Sequence, residues 1–250
     1  MSDAWSEVVS NVAYMMAPLE EHYDDGFGAV GEAFLRAAEL LGKASDGKPI
    51  FLEDLPEIFL LRHAIELFLK SGIIIMHRRL RLPFGPEPSS SPKPFLLTAS
   101  GAWKTLYKTH DLAELYWYWK KLLVDHNEAL TTCMKFTTDI GVPPELDRWI
   151  DTLGALDPNS DYFRYPVSKN RTADKEKSPF KEVPMPELFP SETTDEKVHA
   201  LVTKDSDGNW LRAFKHDRST NKEIGEAAHN AARELSNFHA MMRFEFTGGW

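Results

Sequence analysis

The chain alternates between apolar segments with helical periodicity and polar, proline-rich connections, and one apolar segment stands out. Residues 55–80 read LPEIFLLRHAIELFLKSGIIIMHRRL, in which apolar side chains would cover almost every side of a helix. A surface helix shows one apolar stripe, whereas a helix that is apolar all round is usually buried. The pattern therefore predicts a long central helix over residues 55–80.

The polar residues of this segment fall on one narrow strip of the predicted helix. Arg62, His63, Glu66, Lys70 and His77 lie within an arc of roughly 100° when each residue turns by about 100°. Two interpretations stay open. The strip is either solvated and held by i,i+4 ion pairs along the helix, or it faces polar groups from elsewhere in the chain and forms a site.

Five other segments have apolar residues at helical spacing. They cover about residues 2–21, 29–43, 110–126, 145–153 and 221–244. In the segment HDLAELYWYWKKLLVDH, Asp111 stands where a carboxylate caps the first turn of a helix. The predicted fold class is mainly α, with residues 1–250 forming a single helical domain, a bundle around the central apolar helix.

Two connections are rich in proline and polar residues. Residues 83–94, PFGPEPSSSPKP, indicate a flexible loop, and residues 167–196 indicate an irregular excursion within the domain. The turn sequence KDSDGN lies between VHALVT and WLRAF, which predicts a small β-hairpin near residues 198–214.

Composition is typical of an ordinary globular protein, with 42% hydrophobic and 27% charged residues. The formal charge of −9 disfavours a surface covered with phosphate-binding groups, so an RNA site would have to be local.

Cys133 is the only cysteine and excludes an internal disulfide. The acidic start and the short apolar runs indicate neither an export signal nor a membrane span. We expect a cytoplasmic protein with no membrane partner.

Nine histidines require a test for metal binding. Glu226-x-x-His229 and His63-x-x-Glu66 each place two candidate ligands on one helical face, but a di-metal carboxylate bundle needs two Glu-x-x-His pairs and further glutamates. Phosphate-loop, dinucleotide and Gly-x-Ser-x-Gly signatures are absent from the sequence. We therefore predict no metal site and no cofactor, and keep a metal-dependent helical enzyme only as a third alternative.

Three segments in this order resemble HEPN-type helical proteins. They are LRHAIELFLK at 61–70, HDL at 110–112 and FRYP at 163–166, and the resemblance covers about residues 50–170. Membership of that family would imply an up-and-down helical bundle, often a homodimer, whose active members cut RNA without a metal ion. It would also imply association with toxin–antitoxin or antiviral systems of bacteria and archaea.

Ribonucleases of that family carry an arginine followed after four to six residues by a histidine, and Arg233-x5-His239 on the last predicted helix matches that spacing. Histidine titrates near neutral pH, and arginine supplies a fixed cation for the scissile phosphate. Glu234 follows Arg233, where the family often has a small polar residue. The two side chains diverge by about 120° on a straight helix. The alternative is a surface Arg233 and a half-buried His239 without a catalytic role.

A second cluster draws acids, bases and cations from three segments. Arg164 stands between aromatic residues after a turn, so we expect its guanidinium to pack against the core and to bind the carboxylate of Glu66 or Asp111. The cluster is either a structural network or a catalytic site. Its members are Arg62, His63, Glu66, His110, Asp111 and Arg164.

The function that the resemblance implies is that of a HEPN-like RNA-binding protein with metal-independent ribonuclease activity, acting in defence or stress. Its partners would be RNA and a second copy of the chain or another protein. The competing hypothesis is a non-enzymatic helical protein-interaction module whose polar clusters are structural.

Overall fold

The computed structural model describes residues 12–45, 54–86, 93–136, 140–158, 160–168, 171–188, 199–217 and 219–249. Most of these residues are helical, which confirms the mainly α prediction. The α-helices are α1 (Val12–Met16), α2 (Phe27–Ser45), α3 (Asp54–Leu80), α4 (Leu112–Asp125), α5 (Asn127–Cys133), α6 (Pro144–Leu156), α7 (Arg171–Glu176) and α8 (Ser219–Thr247). No helix among these ranges combines the length and apolarity needed to cross a membrane.

Helix α3 is buried along most of its length. Every residue from Ala64 to His77 is buried, including the polar ones. The helix packs against α2, α4 and α8, and α6 packs against α8 in turn. Burial of large apolar side chains such as Ile65, Leu69 and Ile73 contributes roughly 1.5–3 kcal/mol each.

Two antiparallel sheets accompany the helices. Strands β1 (Phe95–Leu97) and β2 (Trp103–Thr105) form a hairpin, and β3 (Phe180–Val183), β4 (Ala200–Lys204) and β5 (Trp210–His216) form a three-stranded sheet in the order β3-β5-β4. The hairpin predicted near residues 198–214 is confirmed by β4 and β5. Neither the β1–β2 hairpin nor the third strand β3 was expected from the sequence.

Three of the predicted segments differ from the structure or extend beyond the described residues. The excursion at 167–196 is not irregular throughout, because it contains α7, β3 and a 3₁₀ helix at Met185–Leu188. Of the helix predicted over residues 2–21, residues 2–11 lie outside the described ranges, and the remainder is α1 followed by a 3₁₀ turn at Leu19–Glu21. Residues 87–92 of the loop predicted at 83–94 also lie outside those ranges.

A glycine allows α3 to approach α4 closely. Trp119 of α4 is fully buried and stacks edge-on against Phe238 of α8, with ring centroids 5.2 Å apart. A Cβ atom added to Gly72 of α3 would lie 2.5 Å from Nε1 of the Trp119 indole. The tryptophan therefore fills the space that a side chain at position 72 would occupy.

Substituting Gly72→Ala tests this contact. Alanine gains up to about 1 kcal/mol of helix propensity, but displacement of the buried indole costs about 1–3 kcal/mol, so we expect a net loss in the free energy of unfolding. The matched control is Gly225→Ala on α8, whose added Cβ would meet Ile58 at an ordinary 3.8 Å. Urea denaturation should show the control to be as stable as the parent or more stable. Equal stabilisation of both variants would contradict the packing argument.

Candidate functional site

Three charged side chains one turn apart on α3 are fully buried. The Arg62 side chain is 1% exposed, and those of Glu66 and Lys70 are 2% and 3% exposed. Arg62 Nη1 donates to Glu66 Oε2 at 3.2 Å, and Lys70 Nζ donates to Glu66 Oε1 at 2.8 Å. The polar strip of this helix therefore faces the protein interior, and the solvated interpretation is wrong.

Two other segments supply the remaining partners of these charges. His110, which precedes α4, places Nδ1 2.9 Å from Glu66 Oε1, and its main-chain oxygen accepts from Arg62 Nη2 at 2.6 Å. Asp157, which follows α6, places Oδ2 2.8 Å from Arg62 Nε. Its main-chain oxygen also accepts from Arg62 Nη2 at 3.2 Å. We call these five residues, Arg62, Glu66, Lys70, His110 and Asp157, the α3 charge network.

The turn after α6 fixes the Asp157 carboxylate. Its Oδ1 accepts the backbone N–H groups of Asp161 at 2.6 Å and Tyr162 at 2.9 Å. Aspartate favours such turns because its short side chain reaches backbone donors a few residues ahead. One oxygen therefore holds the turn while the other faces Arg62.

The predicted ion pair of Arg164 is wrong. Arg164 binds neither Glu66 nor Asp111; it is exposed, its Nη2 lies 3.4 Å from Ser160 Oγ, and its guanidinium lies 5.7 Å from the centroid of the Phe59 ring. The same turn places Asp157 inward and Arg164 outward. Asp111 is the N-cap of α4, where it accepts from the N–H groups of Ala113 and Glu114.

His63 borders this network without a hydrogen bond to it. The His63 ring is parallel to the Phe59 ring and edge-on to the Phe34 ring. The Arg164 guanidinium lies over the same Phe59 ring. Burial lowers the pKa of His63; Glu66 opposes this effect, and nearby cations, Arg164 among them, reinforce it. His63 is therefore neutral at pH 7.

Opposing effects set the charge states of the two acids. Burial alone would raise the pKa of Glu66, but the Lys70 ammonium and the His110 imidazole more than offset it and lower the pKa. Burial raises the pKa of Asp157, and Arg62 and the N–H groups of Tyr162 and Asp161 work against that rise. Because the Glu66 carboxylate is ionised and can only accept, Nδ1 of His110 must donate to it.

The structure separates the Arg233–His239 pair. Arg233 is 65% exposed on α8 and lies 3.7 Å from Glu39 of α2. The His239 side chain is 5% exposed and places Nε2 3.6 Å from Asp24 Oδ2. These residues share no cleft, as expected from their divergence along a straight helix. Their catalytic assignment stays a prediction.

His239 belongs to a buried polar cluster that joins α8 to the start of α2. Asp24 accepts from the backbone N–H groups of Gly26 and Gly28, and Tyr14 Oη lies 3.5 Å from His239 Nε2. Burial alone would raise the pKa of Asp24, but hydrogen bonds from His239, Ser71 and Gly28 hold it well below its usual range. A Cβ atom on Gly28 would overlap the His239 ring. This arrangement accounts for His239 as a packing residue.

The clefts among the described residues that are large enough for a small ligand include one of about 320 Å³ lined by Glu39, His229 and Arg233. A cleft of about 990 Å³ lies between α4 and α6, with Trp117, Lys120 and Asp147 among its lining residues. Asp147 accepts from Tyr116 Oη at 2.7 Å and from Lys120 Nζ at 2.6 Å. None of the site residues predicted from the sequence lines this larger cleft.

Among the described residues, no three histidine, cysteine, aspartate or glutamate side chains converge as metal ligands.

Comparisons with known proteins do not place the chain in a group. No family model, curated protein or solved structure matches it. Functional assignment therefore depends on the geometry described above and on the sequence resemblance.

Asp157 is the member of the network that the sequence did not reveal. It opens DPNSD, a sequence typical of a turn, and nothing in the pattern of residues links it to Arg62. The available signal was indirect: the network already held two cations on α3, Arg62 and Lys70, against one acid, Glu66, so a second buried carboxylate was required.

Asp24→Asn should destabilise the protein in a pH-dependent manner. Because the pKa of Asp24 is lower in the folded than in the unfolded chain, its contribution is complete above about pH 5, declines as the pH falls below about 4, and is lost only as the pH falls through the much lower pKa of the folded state. We expect a loss of about 1–3 kcal/mol at pH 7 and a smaller loss near pH 3, measured by urea denaturation. Asp125→Asn, at an exposed carboxylate paired with Lys121, is the control and should change stability by less than about 0.5 kcal/mol. An Asp24→Asn loss of the same size at both pH values would refute the assigned pKa shift.

Proposed function

We propose that the chain binds RNA and cleaves it without a metal ion, with His110 as the acid–base group. The α3 charge network would support the imidazole, and Arg164 would bind a substrate phosphate. A helical bundle around α3, a homodimer, a cytoplasmic location and a role in defence or stress belong to the same proposal through the resemblance to HEPN-type proteins.

The observation that carries the proposal is the pairing of a buried carboxylate with a half-exposed imidazole. His110 is 46% exposed while its partner Glu66 is 2% exposed. Since Nδ1 donates to Glu66, the neutral ring carries its lone pair on Nε2. A carboxylate that orients one imidazole nitrogen while the other meets substrate is a recurrent acid–base arrangement.

Cleavage of RNA needs little more than such a group and a cation. A base takes the proton of the 2′-hydroxyl, the 2′-oxygen attacks phosphorus, the bond from phosphorus to the 5′-oxygen breaks, and that oxygen takes up a proton. His110 would serve as acid–base group in this sequence. His63, neutral and close to the charges of Glu66 and Arg164, offers a second imidazole.

Arg164 is suited to hold the phosphate. It is exposed, its guanidinium lies over the Phe59 ring, and it forms no ion pair with a carboxylate among the described residues. Arginine donates two parallel hydrogen bonds to phosphate oxygens, and its packing on an aromatic ring limits the entropy lost on binding. A local cation of this kind suits a chain whose formal charge is −9.

The interaction-module alternative is favoured by a different observation. The sheet formed by β3, β4 and β5 leaves Leu201, Trp210 and Leu211 more than half exposed. Large apolar side chains left exposed on a small sheet suit contact with another protein. If the purified protein neither binds nor cleaves RNA, this alternative gains the support that the ribonuclease proposal loses.

His110→Ala should abolish RNA cleavage. Loss of a general acid–base group lowers rates by about 10²–10⁴-fold, and removal of this side chain leaves the ion pairs of Glu66 with Arg62 and Lys70 in place. The measurement is cleavage of a labelled single-stranded RNA in the presence of a metal chelator. His199→Ala, at an exposed histidine beside β4, is the control and should keep full activity.

A folded His110→Ala protein with the parent rate would exclude the assigned role. Loss of cleavage in a folded His239→Ala protein instead would return the site to the Arg233–His239 pair.

Arg164→Ala should weaken RNA binding at low salt and reduce its salt dependence, because one phosphate contact is lost. The slope of log affinity against log salt concentration should fall by about one unit or slightly less. Fluorescence anisotropy of a labelled RNA gives both quantities. Arg148→Ala on the exposed side of α6 removes the same charge elsewhere and should leave the slope unchanged. Equal effects of the two substitutions would show that Arg164 contributes only its positive charge and makes no specific phosphate contact.

A further inference from the structure

We infer that Asp157 is a positioning residue for His110 and that it acts through Arg62. The inference rests on the proposed function for its catalytic meaning, but the geometry it describes can be measured separately. Asp157 does not contact the imidazole. It determines where the Arg62 guanidinium lies, and that guanidinium contacts both the backbone of His110 and the carboxylate that orients its ring.

The contacts of Arg62 divide among three partners. Nη2 donates to the main-chain oxygen of His110 at 2.6 Å, and Nη1 donates to Glu66 at 3.2 Å. Nε lies 2.8 Å from Asp157 Oδ2. This contact is an ion pair, since neither Nε nor Oδ2 makes a hydrogen bond among the described residues, and the Asp157 main-chain oxygen also accepts from Nη2 at 3.2 Å. Because the guanidinium is planar and rigid, a carboxylate held beside its Nε edge also limits the direction of the other two nitrogens.

The Asp157 carboxylate is itself held from the opposite side. Its Oδ1 accepts the backbone N–H groups of Asp161 and Tyr162 in the turn after α6. The ring of Tyr162 in that turn lies 4.5 Å from the Lys177 ammonium, which also donates to the main-chain oxygen of Tyr165. The turn is therefore anchored on both of its sides, and Asp157 has little freedom to follow a displaced guanidinium.

Loss of the Asp157 charge would change the competition for Glu66. Glu66 Oε1 accepts from both Lys70 and His110, while Oε2 accepts from Arg62. Without Asp157, Glu66 is the remaining carboxylate within reach of Arg62 among the described residues. The guanidinium would turn towards Glu66, its bond to the His110 backbone would lengthen, and the imidazole would lose its fixed orientation.

Asp157→Asn tests this inference, because the amide keeps the size of the side chain and removes its charge. The spectroscopic readout is the NMR signal of the His110 Nδ1–H group, identified by its loss in His110→Ala. We expect it to broaden or shift in Asp157→Asn and to stay unchanged in Asp147→Asn, a substitution at the other end of α6 that removes a carboxylate paired with Lys120. In the cleavage assay we expect kcat to fall by roughly 10–100-fold with little change in KM, as small displacements of a catalytic group do.

The two readouts separate failure of the inference from failure of the proposed function. A folded Asp157→Asn protein with an unchanged His110 signal overturns the inference. If His110→Ala leaves RNA cleavage intact, the proposed function fails, and the NMR signal still decides whether Asp157 positions the ring. Should Asp157→Asn unfold the chain, Asp157→Glu supplies the test: it keeps the charge that Arg62 requires and moves it by one methylene. An unchanged signal in that folded variant overturns the inference as well.

Discussion

A guanidinium that is 1% exposed must be surrounded by oxygen atoms, and the arrangement of the chain around Arg62 follows from that requirement. Removing one partner of a buried ion pair costs about 3–5 kcal/mol, because the other charge is left uncompensated. The oxygens come from α3 through Glu66, from the start of α4 through His110 and from the end of α6 through Asp157. One side chain thereby fixes where three helices meet.

Much of this arrangement could be predicted from the sequence. The all-round apolar pattern at 55–80 predicted the buried helix. The narrow polar strip on it left two interpretations open, and the one in which Arg62 and Glu66 meet partners from elsewhere in the chain agrees with the structure. The N-cap role of Asp111 followed from its position before an amphipathic segment. These features depend on periodicity and local capping, which the sequence encodes directly.

The features that the sequence did not reveal share one cause. They depend on which side chains face the interior and which segments pair in the folded protein, and local sequence patterns do not encode either. A turn can present either of its ends to the core, so the sequence around residues 157–166 did not reveal that Asp157 would face inward and Arg164 outward. Strand β3 is four residues long and pairs with β5, and so short a strand carries too little alternation to be recognised. The buried position of His239 depends on Gly28, whose missing side chain makes room for the ring, and the Arg233–His239 spacing gives no sign of this; the catalytic assignment of the pair stays a prediction.

Charge balance distinguishes His110 from the rest of the network. Two cations, Arg62 and Lys70, face two buried acids, Glu66 and Asp157, so the buried charges are matched without the imidazole. The imidazole adds one hydrogen bond to the ionised Glu66 carboxylate, typically worth about 1.5–3 kcal/mol, and almost half of the ring stays in contact with solvent. A fully buried donor would stabilise the carboxylate as well, so stability alone does not require a half-exposed histidine at this position. An oriented imidazole at the surface, supported by a carboxylate that is already neutralised, is what acid–base chemistry requires, which is why the ribonuclease proposal is centred on His110.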